Sequence, residues 1–216
     1  MKIKLTTVYL VLVLGAITFS CLNGAKDPKP TIESPQLTTE ENENHNNSSQ
    51  YIEESELIKF LRDCPTNNIQ QSYPSPFDTI SFDKVIAYDF DGSSEMHQTV
   101  FDTKKNGFSP FVTKQVTLNS RAIEELTTLV TDKSTYGEEI SACFEPHLGF
   151  VFFEGLKAKV VINVCLDCNY LTSTIPLSFQ DDNIVDEYPN GFSNKGIDRI
   201  INLSAQLELN YGNYKK

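Results

Sequence analysis

The reactive side chains of this chain gather mainly in one stretch. Cys143-x-x-x-His147 is followed by Cys165-x-x-Cys168, while Cys64 lies far upstream and Cys21 near the start. Three chemistries suit the downstream set. An even number of cysteines in an exported chain points to disulfides. Three thiols and an imidazole also match the tetrahedral ligand set of zinc, where a two-residue knuckle brings both thiolates to one ion; the ligands would be Cys143, His147, Cys165 and Cys168. The third chemistry is a redox pair at Cys165 and Cys168. That reaction asks for a thiol at a helix N-terminus or beside a cation, which lowers its pKa. Asp167 sits between the two cysteines, and Leu171-Thr172-Ser173-Thr174 is poor helix material ahead of Pro176. An oxidising compartment disfavours persistent thiolates, so the disulfide reading leads, zinc is the alternative, and no cofactor is otherwise expected.

The elements that must position these residues sharpen the choice. Leu148–Glu154 and Ala158–Cys165 read as two strands joined by a two-residue turn at Gly155-Leu156. An unbroken register from that turn places Val151 opposite Val160, His147 opposite Val164 and Cys143 opposite Cys168. Opposed residues across an antiparallel pair lie about 4.5–5.5 Å apart, within the reach of a disulfide. Cys143 is therefore expected to pair with Cys168 or Cys165, leaving Cys64 for the remaining thiol or free. Pro146 weakens the pairing because it removes a ladder donor. The same register places His147 on the face of Val151, Phe153, Val160 and Ile162, as a core histidine. Asn169 would tolerate the left-handed backbone that turns of this kind often need.

Other candidate chemistry is thinner. Asp89-Phe90-Asp91-Gly92 offers two carboxylates at a strand end, but no glycine-rich phosphate loop accompanies them and Asp-Gly is ordinary turn chemistry. Asp181-Asp182 and Asp186-Glu187 lack the alternating ligands and central glycine of a calcium loop. His97 and His147 have no serine elbow or catalytic cysteine context around them.

Around these sites the pattern is that of an α+β domain built on an antiparallel sheet, with an N-terminal, a central and a C-terminal helix. Ile52, Leu57, Ile58 and Leu61 recur at helical spacing over Ser55–Arg62, and Pro65 follows. Phe82–Phe90 and Phe111–Leu118 read as strands. Asn119 is a good N-cap for a helix over Arg121–Thr131, whose Ile123, Leu126, Leu129 and Val130 share a face. Ile175–Phe179 is expected as an edge strand, and Gly196–Leu209 as a strongly amphipathic closing helix.

The start of the chain carries an address. Lys2 and Lys4 precede an apolar run from Val8 to Thr18, which closes on Phe19-Ser20 before Cys21. A positive leader, about 7–15 apolar residues and a small residue at the cut define a secretory signal. The run falls short of the roughly 20 apolar residues that span a bilayer. With a cysteine directly after the cut, residues 1–20 resemble a bacterial lipoprotein signal, in which Cys21 is acylated. Residues 21–50 are rich in Asn, Glu, Ser, Thr and Pro, and cannot bury enough surface to offset chain entropy. They read as a disordered tether, with His45 a solvated residue within it, and residues 51–216 as one globular domain. Leu22 after the anchor matches the sorting pattern of outer-membrane delivery. The formal net charge is −11, and −13 once Lys2 and Lys4 leave with the leader. That balance argues against nucleic acid and suits a basic protein partner.

Cys143-Phe144-Glu145-Pro146-His147, Gly149-Phe150-Val151-Phe152 and Val164-Cys165-Leu166-Asp167-Cys168-Asn169 together resemble a group of bacterial lipoproteins without assigned activity. These share a Cys-aromatic-x-Pro-basic motif, a strand pair and Cys-x-x-Cys. The resemblance covers roughly Ser141–Asn169 and, more loosely, the helix from Gly196. The expectation is thus a lipid-anchored envelope protein with a non-enzymatic binding or structural role. The alternatives are a periplasmic inhibitor or immunity protein for a basic partner, and a redox or zinc-binding protein.

Overall fold

The computed structural model describes residues 50–66, 72–177 and 191–215. The chain divides into two units, Met1–His45 and Asn46–Lys216, and every described residue belongs to the second. Cys21, the leader, nearly all of the tether and the acidic stretch 181–187 lie outside the described residues. Among the described residues, no helix is long and apolar enough to cross a membrane.

Helix α1 spans Glu54–Asp63 and buries Leu57 and Leu61, four residues apart on one stripe. Strand β1 (Lys84–Phe90) follows, then a small hairpin of β2 (Phe101–Asp102) and β3 (Gly107–Phe108), then β4 (Val112–Thr117). Helix α2 (Ser120–Thr131) starts at Asn119, whose side chain accepts from the Ala122 amide as an N-cap. After β5 (Tyr136–Glu138) come β6 (Leu148–Glu154), β7 (Lys157–Cys165), β8 (Tyr170–Ser173), β9 (Gly191–Phe192) and helix α3 (Asn194–Gln206). A short 3-10 turn at Asn210–Asn213 ends the fold. The result is an α+β domain: five antiparallel strands in the order β4-β1-β6-β7-β8, with helices near its N-terminal, middle and C-terminal parts.

Both faces of this sheet are covered, which explains why every residue of β1 is buried. Val85 and Ala87 point with Leu148, Phe150, Phe152, Val160, Ile162 and Val164 toward α2 and α3. Ile86, Tyr88 and Phe90 point with Val151, Phe153 and Val161 toward α1 and the small hairpin. Lys84, only 4% exposed, sends its ammonium to the Leu61 carbonyl at the end of α1, at 3.0 Å. A cation there meets the negative end of the helix dipole.

Two expectations need correction. The edge strand is Tyr170–Ser173 rather than Ile175–Phe179: Pro176 lacks a donor for a ladder, and Ile175 and Leu177 pack on the core without strand pairing. Residues 178 and 179 lie outside the described residues. The β6–β7 register is also broken. The turn is as expected, with Glu154 opposite Lys157 and Gly155 at φ 60°, a conformation that glycine adopts without strain. A bulge between Phe152 and Phe153 then shifts the ladder by one residue, pairing Val151 with Val161 and Leu148 with Val164. A one-residue slip exchanges the faces, so Val151 and Phe153 lie opposite in the sheet to Val160 and Ile162.

Candidate functional site

Where the ladder stops decides the cysteine chemistry. With β6 beginning at Leu148, the ladder never extends to Cys143. Cys165 is instead bonded to Cys168, across the turn from β7 into β8, with Cα atoms 5.2 Å apart. Asn169 at φ 64° closes that turn through its amide to the Leu166 carbonyl, at 3.1 Å. The expected pairing of Cys143 with Cys168 or Cys165 is therefore replaced by a bridge within the Cys-x-x-Cys pair. Cys143 is free and exposed, yet its sulfur lies 3.8 Å from the Cys168 sulfur. The Ser141 amide on the Cys168 carbonyl (2.9 Å) and the Glu145 amide on the Cys168 sulfur (3.2 Å) hold this segment in place. Cys64 is buried and unbridged, its thiol 3.0 Å from the Thr117 hydroxyl.

Of the four proposed zinc ligands, the three cysteines lie together and His147 does not join them. Two are bonded to each other, and His147 lines a separate cleft. Among the described residues, no three His, Cys, Asp or Glu side chains are arranged to hold a metal ion. Cys165 also ends a strand and does not begin a helix, so the helix-dipole activation of a redox thiol does not operate on it.

The cleft that His147 enters has a volume of about 590 Å³ and is walled by Tyr51, Phe90, Asp91, Tyr211 and Tyr214, with Ser93, Thr113, Asn210 and Asn213 at its edges. Its geometry follows from the end of β1. The Phe90 amide donates to the His147 carbonyl at 3.2 Å. Gly92 lies so close to Pro146 that a Cβ would sit 2.4 Å from its carbonyl oxygen. The turn therefore lies directly against the segment that carries His147. Asp91 accepts from the Ser93 amide at 3.0 Å, a bond that holds its carboxyl below the ordinary range, with His147 adding to the effect. Tyr51 packs edge-on to Phe111 at 5.4 Å between ring centres.

The far wall comes from the C-terminal turn. The Tyr211 hydroxyl accepts from the Leu166 amide (3.2 Å), and the Tyr214 hydroxyl donates to Asp167 (3.0 Å). Both tyrosines thus rest on the loop closed by the Cys165–Cys168 bridge. Burial raises the Tyr211 phenol well above its usual pKa, so it stays neutral. The rings of His147 and Tyr211 meet edge-on at 6.3 Å.

Asp89 lies beneath this wall and is 1% exposed. Its carboxylate accepts twice from the Asn210 amide, at 3.0 and 3.2 Å, while Lys114, opposite it on β4, donates to the Glu208 carbonyl. Burial raises the Asp89 carboxyl, against the lowering effects of the Asn210 bond, Lys114 and His147. Asp89 is thus a support for the C-terminal turn, and Asp91 is the carboxylate that faces the cleft. Neither Tyr211 nor Tyr214 was marked by spacing or motif; the turn-rich Asn210-Tyr211-Gly212-Asn213 was the one local signal.

Comparison with protein-family models, with curated proteins and with solved structures gave no match to this chain.

Proposed function

We propose that the chain is a lipid-anchored binding protein of the bacterial cell envelope, non-enzymatic, whose domain receives a basic side chain of a protein partner in the Asp91–His147 cleft. The carrying observation is that a carboxylate held below its ordinary range and three tyrosines line one recess. Asp91 stays charged into acid because of its bond from Ser93, and Tyr51, Tyr211 and Tyr214 surround it. A cation over an aromatic ring gains about 0.5–2 kcal/mol, and a carboxylate adds a charge-assisted hydrogen bond. The strongly negative chain favours approach of a basic surface. The leader of residues 1–20, Cys21 directly after it and the polar tether support the envelope address and the lipid anchor, with outer-membrane delivery suggested by Leu22.

The test uses the absence of tryptophan, which leaves tyrosine emission as the intrinsic signal. Titration with lysine- or arginine-containing peptides should change that emission saturably, and the affinity should fall as salt rises. Acetylated lysine peptides should bind at least about tenfold more weakly, a loss of about 1.4 kcal/mol. Equal response to charged and acetylated peptides would reject the reading.

A further inference from the structure

We propose that Cys143, Cys168 and Cys165 form a thiol–disulfide exchange centre, in which the Cys143 thiolate attacks the Cys168 sulfur. Exchange of this kind runs by thiolate attack on one sulfur of a bridge, and its rate depends on access and on which sulfur is met. Here the choice of sulfur is made by geometry. Cys143 lies 3.8 Å from the Cys168 sulfur, at sulfur–sulfur contact. The leaving sulfur is provided for as well: the Cys168 amide points at the Cys165 sulfur, 3.1 Å away, where a thiolate would develop.

The step balances within the chain. The Cys143–Cys168 bond forms as the Cys168–Cys165 bond breaks, and the bonding pair leaves on Cys165. The proton released by Cys143 ends on Cys165. One thiol and one disulfide stand on each side, so neither oxidant nor reductant is consumed. Its effect is to move the free thiol inward, because Cys143 is exposed while Cys165 and Cys168 are each 0% exposed. Cys143 lies outside the strands, in the irregular segment before β6, so the new bridge opposes no ladder. This inference does not depend on what the cleft binds.

The test maps bridges in the full chain. Protein held at pH 8 is quenched in acid, unfolded and alkylated under acid, and digested without reduction. Wild type should yield both the Cys165–Cys168 and the Cys143–Cys168 bridged peptides. The second should vanish in Cys143→Ser and be the bridge found in Cys165→Ser after mild oxidation. Its rate of appearance in wild type, after transfer from acid, should rise with pH, because a thiolate is the attacking species in exchange. Wild type that shows the Cys165–Cys168 bridge alone, with Cys143 fully alkylated, overturns the proposal; this arm needs no variant to fold.

Discussion

Asp89 shows how one buried carboxylate ties local chemistry to the shape of the cleft. It lies at the end of β1 where both faces are covered, so it is desolvated, and its bonds go to the Asn210 amide that begins the C-terminal turn. Burial outweighs those bonds and raises its carboxyl. The folded state therefore holds this proton more tightly than the unfolded chain, and linkage gives the sign. The Asp89 contribution is fullest below the unfolded value, about pH 4, and is lost as pH rises through the higher folded value. Asp89→Asn keeps an oxygen to accept from Asn210 but cannot ionise. Urea unfolding across pH 3–7 should show the variant gaining stability relative to wild type as pH rises. A difference that is flat, or that shrinks toward neutrality, would contradict this account of Asp89.

At the scale of elements, helices were legible because burial on one side imposes a 3.6-residue period that any core would need. Asn119 as a cap and Gly155-Leu156 as a turn were legible for an equally local reason. The bulge was not: its extra residue is Lys159 on β7, opposite Phe152/Phe153, and Lys157, Ala158, Lys159 and Val160 also fit an unbroken polar–apolar alternation. Cys143 and His147 are off the ladder for a separate reason: β6 begins only at Leu148. Asp91 and His147 were visible as residues but not as neighbours, because long-range contacts join them: the Phe90 amide on the His147 carbonyl and the packing of Gly92 on Pro146. Capping carries a prediction at this scale. Ser193 accepts from the Gly196 amide at the start of α3 and donates to the Ser134 carbonyl at 2.7 Å. Ser193→Ala should cost about 1 kcal/mol, read as a lower denaturation midpoint with an unchanged slope; an unaltered midpoint would show that α3 does not rely on this cap.

For the whole molecule, the proposal joins a lipid-anchored start to an acidic binding head, and the two ends make separable predictions. Cys21→Ala should move the protein from the membrane fraction to the soluble fraction without changing its melting temperature, because the anchor lies outside the unit that contains the core. A native N-terminus that carries no lipid on Cys21 would refute the anchor. The central claim is that the Asp91–His147 cleft receives a cation from a basic partner. Its most direct measurement is amide NMR of the full chain titrated with a lysine-containing peptide. The predicted result is saturable shifts concentrated at Asp91, Ser93, Thr113, His147, Asn210 and Asn213, the residues that line the cleft, and largely lost in Asp91→Asn. Shifts spread over the exposed carboxylates of α1 and the rest of the acidic surface, and unchanged by Asp91→Asn, would contradict it.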